Sequence, residues 1–161
     1  MARIEERLSA LGLVLPAPVK VPAGVLLPFQ FVRLMGNRVL VSGHGPQNPD
    51  GSIAAPLGKL GRELTVEQGY AAARLTALSI LANLKRTLGD LDRICAWGRV
   101  FGMVNSAPGF NQQPSVINGF SDVIIELYGP VAGAHSRSAV GMAELPFDMP
   151  VEIEAEAEIA G

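Results

Sequence analysis

Residues 137–159, RSAVGMAELPFDMPVEIEAEAEI, decide how this chain is read. The second half alternates strictly. Val151, Ile153, Ala155, Ala157 and Ile159 fall on one side of an extended strand, and Glu152, Glu154, Glu156 and Glu158 on the other. One face is built for a core. The other carries four carboxylates, which read as a solvated acidic face and repel one another unless cations or water lie beside them. Residues 136–143 read as a preceding strand, linked to the last by LPFDMP at 145–150. If the two strands form a hairpin through that link, Arg137 stands near Glu158 and roughly 20 Å from the level of Glu152, at ~3.3 Å per residue. Arg137 and Glu152 would then meet only if a second copy of the chain brings its own alongside. A local, exposed Arg137–Glu158 pair is the plain alternative, and such a pair contributes little.

Upstream, two long helices are legible. Thr65 and Gln68 have the spacing of a capping box, Val66, Tyr70, Ala73, Ala77, Ile80, Leu84 and Leu88 recur at helical spacing, and Gly89 closes the run. That wide apolar stripe suits packing on a sheet rather than lining a cofactor. A second helix spans about 114–128, with proline in its first turn, Val116, Phe120, Val123 and Leu127 on its apolar face, and Gly129-Pro130 as its stop. Between them, 94–104 (ICAWGRVFGMV) reads as a buried strand with glycine irregularities. Runs at 29–35 and 38–42 flank Gly36-Asn37, a two-residue hairpin signal. The stretch 43–64 is rich in glycine and proline, with a turn cluster at Asn48-Pro49-Asp50-Gly51 and room for one short strand. Each long helix sits where a crossover would return the chain to the same sheet. A mixed sheet follows, with both helices on one face and the other face uncovered.

The N-terminal residues 1–27 read separately from a single domain at 28–161. Residues 2–11 form an amphipathic helix on Ile4, Leu8 and Leu11, ended by Gly12, and Pro16, Pro18, Pro22 and Pro28 mark an extended tether that packs on the body.

The chain has 161 residues, enough for one core-forming domain. Lys and Arg number 13 against 15 Asp and Glu, a net charge of −2. A nucleic-acid partner is therefore not expected, since phosphate binding rests on a basic excess. Apolar residues make up 48% and charged residues 17%, which suggests surface buried against another subunit. Apolar runs are too short for a membrane span. The single cysteine, Cys95, excludes an intramolecular disulfide and a cysteine cluster, and with no secretory signal it points to the cytoplasm. In its apolar strand Cys95 is expected to be a buried, inert thiol. His44 and His135 lack metal-ligand spacing and read as satisfied or exposed histidines. No nucleophile elbow and no phosphate loop is present.

The segment 137–154 resembles the C-terminal signature of the RidA/YjgF/YER057c/UK114 family: an arginine (Arg137), a small apolar strand, Leu-Pro, a short gap and an apolar-Glu-Ile ending that holds Glu152. Val41-Ser42-Gly43-His44-Gly45-Pro46 with Asp50-Gly51, the helix at 65–88 and Gly89-Asp90-Leu91 also fit, so the likeness covers roughly residues 28–160. The resemblance implies an α/β (α+β) chorismate-mutase-like fold, a homotrimer with sheets around a central barrel, and ligand clefts between subunits. It implies hydrolysis of enamine/imine intermediates such as 2-aminoacrylate to 2-keto acids and ammonia, on a small anionic metabolite, with no metal or organic cofactor. Arg137 would clamp the substrate carboxylate through its planar fork of donors, and Glu152 would orient and activate water. Phe29, Ser42, Gly43, Asn118 and Ala139 are the implied substrate-binding positions.

The sequence departs from the usual pattern at several places. Phe29 stands where many members have tyrosine. His135-Ser136 precede Arg137 where the family more often has Pro or Ala and then a small residue, 110–118 carries about one extra helical turn, so that Asn118 aligns with a gap, and residues 1–27 lack a close counterpart in the short members. These features mark a longer, YjgF-like subgroup. A non-enzymatic keto-acid binder on the same scaffold is the alternative, prompted by the hydroxyl missing at Phe29. An endoribonuclease is a minor third reading, against which the acidic balance counts.

Overall fold

Gly36 and Asn37 make the tight turn their sequence demands: Val32–Met35 (β1) and Arg38–His44 (β2) pair antiparallel, with Met35 opposite Arg38. In the computed structural model, which describes residues 3–160, three further strands follow, Ile94–Asn105 (β3), Ser136–Met142 (β4) and Val151–Ile159 (β5). The helices are Arg3–Ala10 (α1), Val66–Leu88 (α2) and Gln113–Ala132 (α3). The sheet order is β1-β2-β5-β3-β4. Within 43–64, Gln47 with Ile53 and Leu60 with Leu64 make isolated bridges in place of the short strand. The initial residue of the expected first helix, Ala2, lies outside the described residues.

The register corrects one expectation. β4 and β5 are not a hairpin. β4 runs parallel to β3 at the sheet edge, and β5 lies between β2 and β3, antiparallel to both. Arg137 therefore pairs with Val100, not with Glu158. The physical reason is burial. The Val151–Ile159 alternation needs neighbours on both edges to bury its apolar side, and the central place supplies them. All five of its apolar residues are buried, whereas Glu154 and Glu158 are exposed. Arg38 Nη2 binds Glu156 at 2.8 Å, one of the cationic neighbours the acidic row requires.

Both long helices cover the same face. Thr65 and Gln68 cap α2 reciprocally, and Gly89 closes it at φ 79°. α3 is regular to Tyr128 and breaks at Gly129, with one more turn from Pro130. The two helices approach closely at Gly119, where a Cβ would stand 2.1 Å from the Tyr70 carbonyl oxygen. Ile80, Leu81, Leu84, Ile117, Phe120, Ile124 and Leu127 are fully buried against Val39 and Ile153 of the sheet. α1 joins this core through Ile4 and Leu8, while Leu11 stays exposed. The Asp92 carboxylate accepts from the Arg3 and Ile4 amides at 2.7 and 2.9 Å, capping α1 from a distant turn.

Cys95 is exposed, not buried. A register shift between Ile94 and Ala96 turns it to the open face and Trp97 to the core.

Candidate functional site

The C-terminal end of β2 meets the start of β5 at a register shift between Val41 and His44. That irregularity places Gly43 beneath Glu152. A Cβ on Gly43 would lie 2.0 Å from Glu152 Oε1 and 2.9 Å from Cδ, so the carboxylate rests where only a glycine leaves room. The carboxyl is half-buried and lines a cleft of about 310 Å³. Burial first, and then the charge of Glu154, push its pKa above the ordinary glutamate value. Among the described residues no cation lies within ion-pair distance of it. A proton acceptor held in a cleft with its pKa raised is suited to taking a proton from water and returning it.

The cleft floor is His44. Arg86 Nη1 donates to Asn83 Oδ1 at 2.8 Å, which turns the Asn83 amide nitrogen toward His44 Nε2, also at 2.8 Å. The ring proton is thereby left on Nδ1, 2.6 Å from the Ser42 carbonyl it binds. Burial lowers the His44 pKa to about 4, helped by the charge of Arg86 and opposed by the Ser42 bond. His44 is thus a satisfied histidine, as its sequence suggested, and a neutral one. It is a wall of the cleft and not a proton carrier near neutrality. Phe31 packs on the ring at 5.1 Å, and Phe29 meets Phe31 edge-on at 5.4 Å.

Two further segments close the cleft. The extended tether runs along the 46–53 turn, with Ala17 N–H bonded to Pro49 O and Lys20 N–H to Gly51 O, each at 2.9 Å. Val21, Val25 and Leu27 then line the cavity. Opposite, Phe147 enters from the LPFDMP link in a left-handed conformation, φ 57° and ψ 21°. That conformation is uncommon for a bulky residue and strained. The link is anchored by Asn105 Nδ2, which donates to Asp148 Oδ1 at 3.1 Å, and by Gly58 N–H on the Asp148 carbonyl at 2.8 Å.

Arg137 lies elsewhere. Its Nη1 donates to Asn118 Oδ1 and Ser121 Oγ, each at 3.0 Å, and Nη2 reaches the Pro114 carbonyl at 3.4 Å. His135 Nδ1 donates to Gly133 O at 2.8 Å, so its Nε2 accepts from the Ser121 hydroxyl at 2.9 Å and leaves that oxygen free to receive Arg137. Asn118, Ser121 and His135 together orient the guanidinium on the edge strand, and burial lowers its pKa from the ordinary arginine value. Val100 pairs with both Arg137 and Ala155, on the helix face, while Met103 pairs with Glu152, on the other face. Arg137 and Glu152 of one chain are therefore on opposite faces and about 10 Å apart along the strands.

Of the residues singled out from sequence, Phe29, Gly43 and Glu152 share the cleft. Arg137 and Asn118 meet each other on the helix side. Ala139 lies two residues further along β4, opposite Gly102. Ser42 binds the Gln30 carbonyl at 2.7 Å through its hydroxyl and lines a separate hollow with Arg99 and Phe101. Sequence reasoning missed Asn83, Phe147 and the tether residues as cleft walls. The one available signal was the tether itself, whose prolines forbid a helix and whose valines and leucines need a surface. Glu5, Asp90 and Asp92 cluster closely enough to suggest a cation site. Glu5 Oε1 is bound to Lys85 at 2.6 Å and both Asp92 oxygens cap α1, while Glu5 Oε2 is buried with no hydrogen-bond partner among the described residues.

Residues 5–154 match the family described as "YjgF/chorismate_mutase-like, putative endoribonuclease". Protein TCP17 of Trypanosoma cruzi is 40% identical over 159 residues, covering 98% of this chain and 94% of that one. The crystal structure of Atu1372 from Agrobacterium tumefaciens, a protein of unknown function, is 41% identical and superposes with a TM-score of 0.87, covering 99% of this chain and 94% of its own. Escherichia coli TdcF, solved with bound serine, shares the fold at 20% identity and a TM-score of 0.60, over 89% of this chain and 99% of that one.

Proposed function

From the premise that this chain belongs to the YjgF/chorismate-mutase-like family, we propose that it hydrolyses 2-imino and 2-enamino acids to 2-keto acids and ammonia. The observation that carries the reading is the Glu152 carboxylate, seated over Gly43 in a cleft with its pKa lifted by burial. The bound serine of TdcF, a small amino acid, is in keeping with a metabolite-sized ligand on this fold.

The chemistry asks little of the protein. The enamine tautomerises to the imine, whose carbon is already electrophilic. Water adds to that carbon as Glu152 takes its proton. The same carboxyl returns that proton to nitrogen, giving a carbinolamine; it then carries the carbinolamine hydroxyl proton to the nitrogen as the carbon–nitrogen bond breaks, so that ammonia leaves a keto acid. No cofactor enters the balance. The substrate carboxylate needs a cation, and Arg137, with a planar fork of donors held by Asn118 and Ser121, is the residue that suits it. Because Arg137 and Glu152 of one chain face apart, the site requires the Arg137 of a second copy. We propose the homotrimer, in which edge strand β4 of one subunit closes the cleft of the next. No helix among the described residues is long and apolar enough to cross a membrane, and we place the protein in the cytoplasm.

The test uses imines generated in situ from an amino acid by an oxidase, followed by their decay. Wild-type protein is expected to accelerate hydrolysis, while Glu152→Gln and Arg137→Ala each lower kcat/KM by about 10²-fold or more. Below neutral pH the rate should fall as Glu152 is protonated, at a pH above the ordinary glutamate range. No acceleration by the wild type refutes the enzyme reading. Phe29 supports a second reading, a keto-acid binder without turnover: it lines the cleft with no hydroxyl to bond a reacting group. Keto-acid binding without imine hydrolysis would establish that instead.

A further inference from the structure

Resting on that reading, we infer that the cleft selects 2-imino acids and 2-keto acids with a long apolar side chain, and that the N-terminal tether and Phe147 are its specificity wall. The free polar lining is small, Glu152 and the backbone at Gly43, because the side chains of His44, Gln47 and Asn83 are hydrogen-bonded within the chain. Most of the remaining wall is apolar, from Val21, Leu27, Phe29, Phe31 and Phe147. The 310 Å³ is about ten times the ~30 Å³ share of one water, room for roughly ten non-hydrogen atoms. A pyruvate-sized acid would fill about half of that and leave the tether and Phe147 facing water.

The wall is built, not incidental. The tether is pinned at Ala17 and Lys20 by backbone bonds and by a 2.7 Å Lys20–Asp50 pair. Gly51 has no side chain because the Pro18 carbonyl oxygen would lie 2.2 Å from its Cβ. Phe147 is held in a left-handed conformation by the anchored link, and the residue stays 51% exposed while lining the cavity. Phe29 is 47% exposed beside it. Exposed aromatic residues gathered around one cavity mark a surface that an apolar ligand can bury. The Lys20 amine, at the rim of the cleft, pairs with Asp50 at 2.7 Å.

Calorimetry on the full chain tests the inference with pyruvate, 4-methyl-2-oxopentanoate and phenylpyruvate. Each added buried methylene strengthens binding about fourfold, so 4-methyl-2-oxopentanoate, three carbons larger than pyruvate, is expected to bind about 60-fold tighter, and phenylpyruvate at least as tightly. Phe147→Gly, which removes the ring and relieves the backbone, and Val21→Ser should each reduce that preference several-fold by weakening the larger acids more than pyruvate. Equal affinity for all three acids overturns the inference and leaves the proposed chemistry standing. Binding of pyruvate alone also overturns it, since the apolar wall would then be covered by another subunit. Failure to bind any keto acid, together with absence of imine hydrolysis, overturns the reading of the site as well.

Discussion

Gly43→Ala is the most direct probe of the Glu152 site, because its consequence follows from one set of distances. The new Cβ would stand 2.0 Å from Oε1, 2.9 Å from Cδ and 3.1 Å from Cγ of Glu152, against ordinary contacts of 3.4 Å or more. The carboxylate, at the end of a flexible side chain, must retreat by about 1.4 Å for the variant to fold. Gly43 is not among the glycines at positive φ, so alanine adopts its backbone without strain. Stability should change little, because the alanine also restricts the unfolded chain by an amount worth about 0.4–1 kcal/mol. Activity should not survive so well. A displacement near 1 Å of a reacting group costs about 10²-fold, or about 2.7 kcal/mol of transition-state stabilisation. The assay is steady-state decay of an imine generated in situ, with thermal melting on the same samples. Because both changes act through one carboxylate, adding Gly43→Ala to Glu152→Gln should lower kcat/KM by no more than about threefold further. Wild-type activity in Gly43→Ala, or losses that multiply fully in the double variant, would refute the role of this carboxylate.

Two further outcomes follow from the fold. His44 has a folded pKa of about 4 against an ordinary 6.5, so the unfolded chain takes up its proton first as pH falls. The His44 contribution to stability is complete above pH 6.5 and is lost between there and pH 4, by about 3 kcal/mol, and urea unfolding of His44→Gln should show a flatter pH dependence over that window. Gly119→Ala raises helix propensity by up to about 1 kcal/mol but sets a Cβ 2.1 Å from the Tyr70 carbonyl oxygen. The backbone clash prevails, and the urea midpoint should fall by the equivalent of about 2 kcal/mol, with an unchanged midpoint contradicting the close α2–α3 contact.

Much of the architecture is local and therefore legible in the chain alone. A capping box and an αL glycine delimit α2, Gly36-Asn37 makes the hairpin, and the alternation of 151–159 assigns its core face. These signals need only residues a few positions apart. The likeness in 137–154 likewise points to Arg137 and Glu152 without coordinates. What sequence could not supply was adjacency. The hairpin expected between β4 and β5 is an equally good local solution, but it would leave the most strictly amphipathic strand at an edge. Only the assembled sheet shows β5 in the centre and β4 running parallel at the rim. Cys95 was misread for a related reason: a bulge changes which face a residue takes without changing its apolar neighbours.

The sequence by itself determined most elements of this protein and the acidic and apolar faces of its last strand, and its family likeness singled out the arginine and the glutamate of the proposed site. Tertiary structure alone decided that Arg137 and Glu152 face apart, that Gly43 makes room for a carboxylate, and that a proline-rich tether becomes a cleft wall. The division has one cause. Helix caps, turns and alternation are settled by neighbours along the chain, whereas a site is settled by which distant segments share the burial of apolar surface, and that competition is resolved only when the whole chain packs.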